Sequence, residues 1–318
     1  MNARDGSPVV RKLIIDLDPG IGDAIASVLA MVDPEVDLLA LTATSGCVSG
    51  RVATRNLQGI VAQIDPPKWP RIGSTDAPLA ARGNWGFALE SLNGPTGLGD
   101  LEIMAPELHH RHESSRLLID VVRAHPHQVT LLTLGPLTNV ASACERTPDF
   151  LSLLGGLICL GGSVSAGGDA TAAAETNIFF DPTAARSVLA SSEPKTLVPL
   201  DTTNAAAITF ESFNRIAVGN SRAARFIQQL LPYYFRAHHQ FLGVEGIWLR
   251  EVVALAAAVR PALFRLQPLP VDVEVQGELT RGMTVFERRA QLSGKSNAAV
   301  ALDVDAQGVV DYMTRLLQ

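Results

Sequence analysis

Residues 14–26 read IIDLDPGIGDAIA and set Asp16, Asp18 and Asp23 around a proline and two glycines, directly after an apolar run. Like charges this close repel, so the spacing asks for a cause. One is ordinary turn chemistry, since Asp and Gly are common turn residues and the acids are then solvated. The other is a hard cation, because calcium takes roughly six to eight oxygen ligands from carboxylates, carbonyls and water. If the apolar run is a strand, Asp16 and Asp18 lie two apart and point the same way. Pro19 and Gly20 turn the chain, and Asp23 falls in the first turn of a helix, where its charge suits the dipole. Asp18 and Asp23 then converge, and further ligands must come from elsewhere.

Short β-branched runs alternate with longer helix-period stretches along the chain. KLIIDLD and VDLLALTAT read as strands, GDAIASVLAMV and RVATRNLQGIVAQI as the helices that follow them. QVTLLTLG, LLGGLICLGG and KTLVPLD supply further buried strands, and a helix begins near PLTNVASAC. The pattern predicts an α/β fold with an open, mostly parallel sheet and helices on both faces, as a single domain over 1–318. In such sheets the ligand sits outside the carboxyl ends of the strands. Asp16, Asp18, residues 45–47, Leu134, Gly135 and Asp201 all fall at such ends. The Gly- and Pro-rich stretch 66–102 and the aromatic-rich stretch 232–250 read as loops able to fold over the site as lids. After Gly277, ELTRGMTVFERRAQ and NAAVALDVD read as a closing hairpin and strand before a last helix.

A net charge of −6 with scattered Lys and Arg lacks the basic footprint of a nucleic-acid binder. A small neutral or cationic partner fits better. The first dozen residues are polar, without a hydrophobic signal core, and no apolar run reaches the roughly 18–20 residues of a membrane span. No membrane association and a cytoplasmic location are therefore expected. Cys47, Cys144 and Cys159 are too few and too far apart for a disulfide scaffold, and are read as reduced thiols.

The acidic turn resembles the signature D-x-D-P-G-x-D-D-A of the inosine-uridine nucleoside hydrolase family. Further resemblances follow in family order: TRN at 54–56, GSTDAPL at 73–79, GPLTN at 135–139, AETNIFFDP at 174–182 and ELTRGMTV at 278–285. The resemblance implies one calcium ion (Ca2+) in a deep pocket, hydrolysis of the N-glycosidic bond of a ribonucleoside, and a homodimer or homotetramer. By position it makes Asp18 a metal ligand and general base, Asp23 a second ligand and Leu134 a carbonyl ligand. Glu175 and Asn177 would hydrogen-bond the sugar, Asp169 stands where a sugar-binding Asn is usual, and Tyr234, His238 and Trp248 lie where leaving-group contacts are kept. Such a cation would lower the pKa of its water, and the surrounding carboxylates would stabilise the positive charge that builds on the ribose.

The chain departs from that pattern within the expected pocket. Gly22 replaces the first acid of the D-D pair, which removes a carboxylate from the ribose 2′-hydroxyl or the metal shell. Cys47 stands in place of an amide, and Asn93 in place of a histidine. The late His-Asp pair becomes Arg250 and Glu251. Glu251 keeps the charge but reaches about 1.5 Å further than Asp, while Arg250 stays protonated and cannot serve as an acid. Two readings follow. In one, Asp18, Asp23, Glu251 and the Leu134 carbonyl still hold calcium and the altered contacts, including Cys47, Asn93 and Arg250, change the substrate. In the other, Arg250 takes the cation position against Asp18 or Asp23, and the protein binds a nucleoside or sugar with weakened catalysis.

Other features carry less. HHRHE at 109–113 reads as polar surface rather than a metal cluster. LGGSVSAGGDA lacks the Lys-Ser/Thr ending of a phosphate loop. Cys47 has no histidine near it in sequence to activate it, and is read as a pocket-lining residue.

Overall fold

The computed structural model describes residues 10–78, 86–106, 111–212, 219–289 and 295–318. Strand β1 (Arg11–Leu17) lies between β2 (Val36–Ala43) and β5 (Val129–Thr133) in a nine-stranded sheet. It is buried on both sides: Leu13, Ile15 and Leu17 enter one hydrophobic cluster and Ile14 the other. That double burial is why the run is continuously apolar. Beyond β2 come β3 (Arg71–Ser74) and β4 (His112–Glu113). On the other side lie β6 (Gly156–Leu160), β7 (Thr196–Val198), β13 (Ala298–Val304) and the edge strand β10 (Phe264–Leu269). All these pairings are parallel except β10 with β13.

Helices α1 (Ile21–Val32), α2 (Gly50–Ile64), α9 (Arg222–Ala237), α10 (Arg250–Val259) and α11 (Ala306–Leu317) bury their apolar stripes in the first cluster. Helices α4 (Ser114–Ala124), α5 (Thr138–Arg146) and α7 (Pro182–Leu189) bury theirs in the second. Short helices α3 (Gly86–Asn93), α6 (Thr176–Phe180) and α8 (Leu200–Thr203) lie in the connections. The chain runs outward through β2, β3 and β4, then returns to place β5 on the far side of β1. This reversal opens a crevice at the carboxyl ends of β1 and β5. Among the described residues no helix is long and apolar enough to cross a membrane.

The α/β architecture is the expected one, with two local differences. The expected closing hairpin is shifted: β12 (Thr284–Phe286) is its second strand and pairs antiparallel with β11 (Val271–Val273), while the expected strand is β13, which enters the main sheet beside β7; 290–294 lie outside the described residues. Residues 278–282 form the turn between β11 and β12, so ELTRG is connection rather than strand. The two lid segments are not loops throughout. Segment 66–102 carries β3 and α3, while 79–85 falls outside the described residues. Segment 232–250 continues α9, adds a π-helical turn over His238–Leu242, and ends in β9 (Ile247–Trp248), paired with β8 (Ala207–Ile208). Of the aromatics that suggested a loop, Tyr233, Tyr234 and Phe235 lie on α9, whose Phe226, Ile227, Leu230, Leu231 and Tyr234 recur at helical spacing and are buried, while Phe241 lies in the π-helical turn and Trp248 in β9. The segments are joined, with the Tyr233 hydroxyl donating to the Ser91 carbonyl at 3.3 Å and Arg236 paired with Asp100 at 2.7 Å.

Candidate active site at the β1–β5 crevice

Asp18 follows the last residue of β1, and its carboxylate is fixed by space as much as by bonds. Oδ2 accepts from the Cys47 amide at 2.5 Å. A methyl group on Gly46 would lie 2.6 Å from the Asp18 Cγ, and one on Gly135 3.1 Å from it. Glycines therefore stand in the connections after β2 and β5 because the Asp18 carboxylate occupies the space their side chains would need. Burial pushes the Asp18 carboxyl up to about 7, with the Glu251 charge adding to the rise.

Asp23 sits in the first turn of α1, and its Oδ2 accepts from the Gly20 amide at 3.1 Å. Gly20 has no side chain to cap the helix, and Asn93 does so from α3, its Oδ1 accepting from the Ile21 amide at 2.9 Å. Glu251 occupies the matching place in the first turn of α10, which packs against α1. Both acids gain from the positive end of a helix dipole. Burial raises the Asp23 carboxyl well above its ordinary value, with Asp18 and Glu251 repelling it further, and burial also raises Glu251. Asp23 Oδ1 and Glu251 Oε2 are buried without a hydrogen-bond partner.

The sugar-side residues come from the segment after β6. Glu175 caps α6, accepting from the amides of Asn177 and Ile178 and from Gly162 at 3.0 Å. Burial, then the Asp169 charge, pushes its carboxyl up to about 8. Asn177 donates to the carbonyls of Leu134 at 2.7 Å and Leu160 at 3.1 Å. Asp169 accepts through Oδ1 from the Thr176 amide and hydroxyl at 2.8 and 2.9 Å, and through Oδ2 from Arg250. The Arg250 guanidinium also lies over the Trp248 ring, 5.6 Å from its centroid.

The structure thus brings Asp18, Asp23, Cys47, Asn93, Leu134, Asp169, Glu175, Asn177, Arg250 and Glu251 around one cavity of about 70 Å³. Leu160 and Thr176 also line it, and sequence reasoning missed both; neither type signals a site. Tyr234 and His238 do not line it. His238 is buried and pushed down to about 4, which makes it neutral. Its Nδ1 donates to the Tyr234 carbonyl at 3.0 Å, and its Nε2 accepts from the Trp248 amide at 3.4 Å. His238 thereby ties α9 to β9, and the buried Tyr234 ring stands edge-on to it at 4.3 Å. Asp16 also stays out of the cavity: Thr42 and Asn139 donate to it from β2 and α5 at 2.5 and 2.8 Å.

The alternative reading, in which Arg250 takes the cation position against Asp18 or Asp23, is not the arrangement seen, because its partner is Asp169. Cys47 is not an activated nucleophile: burial and the neighbouring acids push its thiol well up, and it donates to the Asp18 carbonyl. In the glycine-rich stretch, the Val164 and Ser165 amides donate to Asp201 at 2.7 and 2.8 Å, which leaves them engaged by a carboxylate of the chain itself. Within HHRHE, residues 109 and 110 lie outside the described residues, and Glu113 is paired with Arg146 at 2.6 Å.

The open sheet, the acidic crevice at its reversal point and the sequence together define the class. Residues 13–311 match the inosine-uridine preferring nucleoside hydrolase family, and the chain belongs to it. It is a hydrolase acting on the N-glycosyl bonds of nucleosides. Among its relatives, uridine nucleosidase 1 of Arabidopsis thaliana is 32% identical over 95% of this chain and 91% of its own length. The pyrimidine-specific ribonucleoside hydrolase RihA of Shewanella sp. (strain MR-7) is 34% identical over 95% of both. Among solved structures, a plant nucleoside hydrolase, the PpNRh1 enzyme, superposes with a TM-score of 0.88 at 27% identity, covering 98% of this chain and 99% of its own. The purine-preferring ribonucleoside hydrolase of Gardnerella vaginalis gives 0.86 at 27% identity, over 96% and 98%.

Proposed function

We propose that the protein hydrolyses a ribonucleoside to free base and ribose with water activated at a calcium site, and that Asp18 is the general base. The observation that carries this reading is the convergence of Asp18, Asp23 and Glu251, with Asp23 Oδ1 and Glu251 Oε2 buried and unpartnered. A hard dication satisfies both orphaned oxygens and offsets the burial that raises all three carboxyls. Among the described residues no group of three His, Cys, Asp or Glu side chains is placed to hold a metal ion. The donor set therefore draws on the Leu134 carbonyl as well, which keeps a lone pair beyond its bond from Asn177.

When bound, the cation would lower the pKa of a water in its shell and hold the ribose diol. Asp18 takes the proton of the attacking water, its oxygens held in place by the Cys47 amide and by the glycines at 46 and 135. Positive charge developing on the ribose is stabilised by Asp18, Asp23 and Glu251. Glu175 and Asn177 are spent largely on the backbone, so they place α6 and the Leu134 carbonyl and offer the sugar their remaining lone pairs. Arg250 orients Asp169 in the lining of the site.

The two curated relatives are named for uridine and for pyrimidine ribonucleosides, which makes uridine the first substrate to test. A panel of ribo- and deoxyribonucleosides, assayed by base release with and without chelator, tests the reading. Chelator-sensitive cleavage of ribonucleosides is expected, whereas full activity after exhaustive chelation would overturn it. We also place the protein in the cytoplasm as a homodimer or homotetramer, to be checked by light scattering.

A further inference from the structure

The backbone of α1 passes so close to Glu251 that position 22 has no room for a side chain. A Cβ built on Gly22 would fall within the Glu251 carboxylate, with even the farthest of its three contacts, Oε1, at 2.9 Å. Real Cβ atoms do not approach heavy atoms to less than about 3 Å without something shifting. The obstructing atoms belong to a carboxylate that is itself enclosed: Glu251 lines the cavity, and its Oε2 is buried with no partner. Because Glu251 lines the cavity, room for a side chain at 22 comes only by pushing its carboxylate off its present place in the site. The two departures from the family signature, a missing side chain at 22 and an added methylene at 251, therefore meet in one volume.

We infer that Gly22 and Glu251 form one unit, in which the empty position on α1 admits the longer acid of α10 and Glu251 delivers the carboxylate that position 22 lacks. The site keeps its acidic wall, supplied from a different helix, and neither residue can be changed alone without moving it. This rests on the proposed calcium site for its functional meaning, but the steric coupling stands apart from the ion.

Six full-length proteins test it: the parent, Gly22→Ala, Gly22→Asp, Glu251→Asp, Gly22→Ala with Glu251→Asp, and the double variant Gly22→Asp with Glu251→Asp. Calcium affinity is read by titration calorimetry and thermal midpoint by scanning calorimetry in EDTA. Each single variant is expected to bind calcium at least tenfold more weakly than the parent, and the double variant to recover most of that loss. In EDTA, Gly22→Ala is expected to lower the midpoint, and combining it with Glu251→Asp to restore part of the drop. Parent-like affinity and midpoint in Gly22→Ala would overturn the inference. So would strictly additive effects across both cycles. A coupled EDTA cycle in a protein that takes up no calcium would support the unit and sink only the cation reading.

Discussion

Arg250 and Asp169 form an ion pair in the lining of the candidate crevice, with the second Asp169 oxygen held by the Thr176 amide and hydroxyl. The cavity they line, about 70 Å³, holds on the order of two waters at roughly 30 Å³ each. The pair keeps 22% and 24% of its side-chain surface, so its loss falls below the roughly 3–5 kcal/mol of breaking a fully buried pair. Arg250→Met is expected to cost about 1–3 kcal/mol in urea unfolding, because Asp169 is left beside Glu175 without its counter-charge. Adding Asp169→Asn should return part of that loss, and a double variant less stable than Arg250→Met would refute the pairing as the cause.

Asp18→Asn keeps the shape that Gly46 and Gly135 accommodate and an acceptor for the Cys47 amide, but removes the proton acceptor. Turnover is expected to fall about 10²–10⁴-fold, with the thermal midpoint preserved or raised. Single-turnover base release measures this, and parent-like rates would end the assignment.

Gly135→Ala places a methyl group 2.7 Å from Thr44 Cγ2 and against the Asp18 carboxylate. It is expected to destabilise by about 1–3 kcal/mol and to lower turnover as well. In an Asp18→Ala background the stability cost should shrink, since the carboxylate that clashes is gone. An equal cost in both backgrounds would mean that the glycine serves another need.

The pH dependence follows from the direction of the shifts. Asp18 rises to about 7 from 3.8, and Glu175 to about 8 from 4.5. A carboxyl whose folded value exceeds its unfolded one keeps its proton longer in the folded chain. Its stabilising contribution is complete below about pH 4 and is withdrawn as pH climbs through 7 and 8. In EDTA the thermal midpoint is therefore expected to decline between about pH 4 and pH 8, and less steeply for Asp18→Asn. Calcium needs the ionised acids, so its affinity should rise over the same interval with release of protons, measured by calorimetry in buffers of different ionisation enthalpy.

The fold was readable because burial writes itself into the sequence: β1 and β2 are apolar on both faces, and α1 and α2 follow at helical period. The acidic turn was readable too, since Asp18 and Asp23 lie close in sequence. The relations across the chain were not. Gly22 and Glu251 each looked like a separate loss, and only the approach of α1 to α10 shows that they share a volume. Arg250 gave no hint of which acid it would choose, because Asp169 reaches it through tertiary structure alone. His238 and Tyr234 looked chemical by type, yet one is neutral and bonded at both nitrogens and the other is buried against it. Residues 278–282 carried strand-like types but lie in a turn whose Gly282 has a φ of 84°.

Asn93 reaches back 72 positions to bind the first amide of α1, and α3, which carries it, leans on α9 through Ser91 and Tyr233. Uncovering the crevice by lifting α3 would strip that amide of its partner and slacken the hinge between Asp18 and Asp23. The start of the helix that carries Asp23 is thus secured from a segment remote in the chain, so a change at Asn93 would be felt at the acids themselves.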